Sequence, residues 1–248
     1  MNKVSLVAHT VPMIEQLKNV NDFVAYCARV SNPKNQLNTD TSDNLLRYCM
    51  KEGHWSIFEM ANVVLEVRTT RDIARQLLRH RSFSFQEFSQ RYAVVDEVFP
   101  AMRKARVQDE KNRQNSIPVE DSALAEFWHR AQEKVWEDSY EIYKNALERG
   151  IAKEQARALL PEGLTRSTLC VNGTLRSWIH YVALRTGNGT QQEHIDLARK
   201  CADAIEPVFP MIQEFVVAYK NTVIKNLDGK SSENKISYAP EGSSLEEF

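Results

Sequence analysis

The sequence predicts an α+β fold in a single domain, and three observations predict it. Val4, Leu6 and Ala8, and again Val63, Leu65 and Val67, alternate with other side chains at the two-residue period of a strand. Longer stretches repeat their apolar positions at the helical period, with capping residues before them and glycine or proline after them. The 248 residues are 42% hydrophobic and 26% charged, an ordinary globular composition with enough chain for one large core.

The first strand covers Val4 to Ala8. Asn21 or Asp22 caps a helix through Val24, Ala25 and Ala28, and Pro33 ends it because the residue before a proline resists the helical region. Leu45, Leu46, Cys49 and Met50 mark a core helix with Ser42 or Asp43 as cap and Gly53 just past its end. It delivers the chain to an irregular segment holding His54, Ser56 and Glu59, where His54 reads either as a functional group or as a structural histidine. A strand over 61–68 follows. Thr69 then caps a helix with the stripe Ile73, Ala74, Leu77 and Leu78, and if that helix persists, Arg79, His80 and Arg81 point in directions about 100° apart.

Residues 100–120 are polar, with a proline near each end, and read as a linker or a lid with some helix. Ser122 caps a long scaffold helix whose inward positions are Leu124, Trp128, Ala131, Val135, Ile142 and Ala146, and Gly150 terminates it. A helix over 153–160 stops at Pro161. A short strand at 168–171, a turn at Asn172-Gly173 and a helix burying Leu175, Trp178, Ile179 and Val182 come next. Thr190 and Glu193 form a capping box for the last helix. The domain is expected to span 1–225, and the polar segment 226–248, with little to bury, is expected to be a mobile tail.

Net charge is −1, which argues against a nucleic-acid coat or a polybasic membrane binder. The charge is nevertheless uneven. Arginines 68, 71, 75, 79, 81 and 91 face only Asp72 and Glu87 in the same stretch, six cations against two anions, a local +4 with no lysine. A guanidinium offers a planar fork that matches phosphate or carboxylate oxygens in pairs, so arginine alone suggests anion recognition. The competing reading, a nucleotide- or RNA-binding module stacking bases on Phe83, Phe85 and Phe88, is weaker because that spacing buries easily. No Walker loop, strand-linked GxGxxG or GxSxG occurs. Cys27, Cys49, Cys170 and Cys201 have neither zinc-site nor disulfide spacing, so they read as reduced core residues and no metal site is expected. Without an apolar leader or a run long enough to span a membrane, the expected location is the cytoplasm.

Arg79, His80 and Arg81, followed after seven residues by Ser89, form an RHRx7S motif, and by it the chain resembles the flavin-dependent thymidylate synthases. The resemblance covers about residues 1–220 and extends to His54, Ser56, Phe58 and Glu59, to Arg157 in EQARALLP, to Arg176 in LRSW, to Arg185, and to Gln191 and Glu193 in GTQQEH. It implies a mixed sheet flanked by helices and a homotetramer with active sites at subunit interfaces. The reaction it implies is reductive methylation of dUMP to dTMP, with 5,10-methylenetetrahydrofolate giving the carbon and NADPH giving the hydride through FAD, and no cysteine nucleophile. It places Gln76, Arg79, Glu87, Ser89, Gln90, Arg91, Arg157 and Arg185 around dUMP. It places His54, Ser56, Arg79, His80, Arg81, Ser82, Thr174, Arg176 and His180 around FAD. Arg185, His54 and Ser89 are the catalytic expectations: Arg185 as electrostatic stabiliser of an electron-rich pyrimidine, His54 positioning the flavin and folate, Ser89 in substrate binding. Thr174 and Gly189 depart from residues frequent in the family, and both lie on the flavin side.

Overall fold

The computed structural model describes residues 2–96 and 99–216. The segment 226–248 and the last residues of the expected 1–225 domain lie outside them.

The elements run β1 (Lys3–His9), α1 (Val20–Ala28), α2 (Ser42–Lys51), β2 (Asn62–Thr70), α3 (Arg71–Leu77), β3 (Ser84–Glu87), β4 (Arg106–Gln108), β5 (Ser116–Pro118), α4 (Ser122–Glu148), α5 (Lys153–Ala156), β6 (Arg166–Thr174), α6 (Leu175–Arg185) and α7 (Gln192–Ile205). The main sheet has the order β1-β2-β6-β3, and every neighbouring pair is antiparallel. The expected mixed sheet is therefore corrected for the described residues. β2 and β3 do run in the same direction through the α3 connection, but β6 is inserted between them, which removes any parallel neighbour.

Period-two burial selects one face. Val63, Leu65 and Val67 of β2 and Leu169 and Val171 of β6 enter one core with Leu46, Ile73, Leu77, Trp178, Leu197 and Phe209 from the helices. The opposite face carries Arg68, Ser84, Gln86, Cys170 and Asn172, all exposed in the single chain. Cys170 thus leaves the group expected in the core: it pairs with Glu66 and Gln86 on the outer face because its neighbours Leu169 and Val171 already point inward.

Several boundaries differ from expectation. α1 is capped by Asn19, whose side chain accepts from the Asp22 amide, and α4 by Asp121 rather than Ser122. The caps expected for α2, α3 and α7 do not form: Asp43 accepts from Asn21, Thr69 donates to Asn2, Asp72 accepts from Arg103 and Glu193 from Arg106, while the buried Ser42 hydroxyl has no partner among the described residues. α3 stops at Leu77, and His80 to Phe83 form a turn with the Phe83 amide donating to the His80 carbonyl at 3.2 Å, so the helical fanning of Arg79, His80 and Arg81 does not occur. Strand β6 runs straight through Asn172 and Gly173, which pair with Val64 and Val63, so no turn lies there. The 100–120 segment holds a β4–β5 hairpin in place of helix.

Helix α4 carries the clearest reversal. Gln132, Trp136 and Tyr143 are its buried residues, while Leu124, Trp128, Val135 and Ile142, the expected inward stripe, are exposed. The face that meets this chain is fixed by two contacts. The Gln132 amide pairs with both backbone polar groups of Arg103 at 2.9 Å, and the Tyr143 hydroxyl accepts from the Val95 amide at 3.0 Å.

Candidate active site

The motif turn lies against α6. The Arg185 Nε–H donates to His80 Nε2 at 2.9 Å, and the His80 ring meets the Tyr181 ring edge-on at 5.0 Å. Tyr181 and Arg185 are one helical turn apart, so α6 presents both to the motif. Burial and the Arg185 charge hold the His80 pKa down at about 4, so the imidazole is neutral with a lone pair on Nε2 for the guanidinium.

The other turn-spaced pair on α6, Arg176 and His180, faces the 3₁₀ turn Trp55–Glu59. Arg176 pairs with Glu59, and the His180 ring lies 4.7 Å from that of Trp55. Burial, then the Arg176 charge, lowers the His180 pKa. Thr174 caps α6 by accepting from the Ser177 amide, and the Ser177 hydroxyl donates to the Ser82 carbonyl, tying the motif turn to the helix start. Threonine at 174 therefore serves as the N-cap of α6, a role that an asparagine side chain can also fill. Gly189 also has one: its φ is +83°, and a Cβ there would stand 2.9 Å from Gln114 Oε1 of the β4–β5 hairpin loop.

A second constellation forms where α3, β3 and α5 meet. Glu87 accepts from Ser167 Oγ at 2.7 Å and lies 3.5 Å from Arg75 and 3.7 Å from Arg71. Arg71 is buried, and burial, followed by the charge of Arg75, lowers its pKa, with Arg157 adding to the same repulsion. Arg91 lies 3.7 Å from Glu154, and Lys153 donates to the Tyr92 carbonyl, which fixes the Ser89–Tyr92 segment beside Arg157. Gln90 is buried with its amide nitrogen unpartnered among the described residues.

The structure thus brings together Glu87, Arg91 and Arg157; Gln76, His80 and Arg185; and Thr174, Ser82, Arg176 and His180. His54, Ser56, Arg79 and Arg81 are exposed, and the side chains of Arg79 and Arg81 have no ion-pair or hydrogen-bond partner among the described residues. Two exposed guanidiniums left uncompensated in the motif turn are donors that suit an anionic ligand. Tyr181, His194, Arg71 and Arg75 were not singled out as site residues by the sequence. Tyr181 and His194 join Gln76 and His80 only through the tertiary contacts of α3 and the motif turn with α6 and α7. Among the described residues no group of His, Cys, Asp or Glu could hold a metal ion, and no helix is long and apolar enough to cross a membrane.

Comparison with known proteins gives one answer. The family described as thymidylate synthase complementing protein matches residues 12–211. A probable flavin-dependent thymidylate synthase of Paramecium bursaria Chlorella virus 1 is 52% identical over 207 residues, covering 84% of this chain and 95% of the relative. A flavin-dependent thymidylate synthase of Synechocystis is 49% identical over 190 residues, 77% of this chain and 86% of the relative. Among solved structures, the UMP/dUMP methylase PolB of Streptomyces cacaoi bound with 5-Br dUMP superposes with a TM-score of 0.73 at 27% identity, covering 88% of this chain and 95% of that one.

Proposed function

This chain belongs to the thymidylate synthase complementing protein family, that of the flavin-dependent thymidylate synthases, and from that premise we infer how its residues divide the work. The enzyme methylates dUMP to dTMP with FAD as cofactor. 5,10-Methylenetetrahydrofolate is proposed as the carbon donor and NADPH as the hydride source, and the bound flavin supplies the hydride relay.

The single observation that carries the reading is the Arg185–His80 contact, which joins the RHR motif to the end of α6. Its Nε–H spent on His80, Arg185 keeps both terminal amino groups for a ligand. Aimed at the pyrimidine carbonyls, they stabilise negative charge there and so raise electron density at C5, where the new carbon–carbon bond forms. His80 is the positioning residue for that arginine. Glu87, Ser89, Gln90, Arg91 and Arg157, with Gln76 and Arg79, hold the nucleotide, the arginines meeting its phosphate. His54, Ser56, Arg79, His80, Arg81, Ser82, Thr174, Arg176 and His180 form the FAD side.

Exposed Arg79 and Arg81, unpartnered among the described residues, and the exposed outer sheet face support a homotetramer in which neighbouring subunits complete each site. A cysteine nucleophile is not part of the reading: a thiolate route needs a lowered thiol pKa, and burial raises those of Cys27, Cys49 and Cys201. The deciding experiment is a protein with all four cysteines replaced by alanine or serine and loaded with FAD. It should oxidise NADPH in a dUMP- and folate-dependent manner and release dTMP. A folded, flavin-loaded variant without turnover would contradict the assignment.

A further inference from the structure

A polar chain leads from the β4–β5 hairpin into the site, and its direction is fixed from one end. The Glu193 carboxylate can only accept, and it takes Arg106 on one oxygen at 2.5 Å and Gln191 Nε2 on the other at 3.0 Å. The nitrogen side of Gln191 is thereby committed, so its carbonyl faces Gln76, which must donate through Nε2 at 2.8 Å. The Gln76 carbonyl then points inward at His194 Nδ1, 3.1 Å away, and that nitrogen must carry the proton. His194 Nε2 is left as a lone pair and takes the Tyr181 hydroxyl proton at 3.2 Å. Only this arrangement satisfies every group, and His194 is fully buried, so water cannot substitute for a missing partner. Among the described residues, one N–H of the Gln76 amide remains uncommitted.

We propose that this relay is a specificity device: Glu193, acting through Gln191, with His194 behind it, locks the Gln76 amide carbonyl-inward, so that residue 76 offers a fixed N–H donor to an acceptor oxygen of the pyrimidine nucleotide. The inference rests on the placement of Gln76 in the nucleotide site. An amide free to turn over would offer donor and acceptor alike, whereas a locked donor favours an oxygen and penalises any ligand that presents a donor at that point. His194 touches no ligand and is a positioning residue. Burial, then the charges of Arg185 and His80, keeps its imidazole neutral.

The test uses the FAD-loaded enzyme and dUMP. His194→Leu removes the proton that holds the Gln76 carbonyl and should raise KM for dUMP by about tenfold while changing kcat less than about threefold. His194→Asn, whose amide nitrogen stands where Nδ1 was, should restore most of the loss, which a purely packing role would not do. In a Gln76→Ala background, His194→Leu should add nothing further. A KM effect of His194→Leu that persists undiminished in that background overturns the relay alone. A Gln76→Ala enzyme with unaltered KM overturns the placement of Gln76 and the relay with it.

Nitrogen-15 spectra of the histidine rings in the holoenzyme supply a readout independent of catalysis. They should show His194 as the neutral Nδ1–H tautomer, and an Nε2–H tautomer overturns the proposal whatever the kinetics. An enzyme that leaves dUMP unchanged would remove the proposed function and leave this spectroscopic result standing on its own.

Discussion

At the scale of single residues, Arg185 does what lysine could not. A guanidinium can give one N–H to His80 and still present two amino groups in a fixed plane, whereas an ammonium gathers its three donors on one nitrogen at the end of a flexible stem. Arg185→Lys should therefore keep the charge yet lower single-turnover dTMP formation on the order of 100-fold, with FAD content unchanged. The neutral histidines predict a pH dependence of stability. The pKa of His80 falls to about 4 and that of His194 to about 3 from an ordinary 6.5, so below 6.5 the unfolded chain binds protons that the folded one refuses. Stability should be full above pH 6.5 and fall as the pH drops toward about 4. Urea midpoints between pH 7 and pH 5, where most carboxylates stay ionised, would measure it. A His80→Gln His194→Asn variant should show a flatter profile, and an unchanged slope would remove these two groups as the cause.

At the scale of elements, tertiary pairing overrides local signals. Asn172-Gly173 is a turn dipeptide by composition, yet β2 pairs with β6 through both residues to Thr174, and β3 on the other side reaches Asn172. Gly173 is required for another reason: a Cβ there would sit 2.3 Å from the Phe83 ring, itself wedged against Trp178 at 4.5 Å. Gly173→Ala should therefore destabilise the protein by about 1–3 kcal/mol through overpacking, seen as a lowered thermal midpoint. Strands β1 and β2 and helices α6 and α7 were legible because their apolar period is clear, and the same period put Arg176 and His180 on one face of α6. The four-residue β3 was not, because Ser84–Glu87 becomes a strand only by pairing with β6. Nor was the end of α3 at Leu77, since the residues after it carry no proline or glycine. The long-range contacts Gln76–His194 and Arg106–Glu193 join residues about a hundred positions apart, a distance at which spacing in sequence says nothing.

At the scale of the whole molecule, the single chain leaves two surfaces unfinished. The outer sheet face exposes Cys170, Asn172 and Gln86, and α4, about 40 Å long at 1.5 Å per residue, exposes Leu124, Phe127, Trp128, Val135 and Ile142 along its length. A stripe of that extent on an amphipathic helix marks an interaction surface more than a solvated one. Its periodicity was legible in the sequence, but the expectation that it faces this chain's own core was not met, because period alone does not say what a helix face packs against. If the proposed homotetramer forms through this stripe, subunit contact and catalysis should fail together. Trp128→Glu combined with Val135→Glu places two buried charges in that contact and should shift the mass seen by light scattering from a tetramer to smaller species. Turnover should fall in proportion to the tetramer lost, while the circular dichroism of the subunit is retained. A variant that stays tetrameric would place the interface elsewhere, and one that dissociates yet keeps full turnover would show that a single chain holds the whole site.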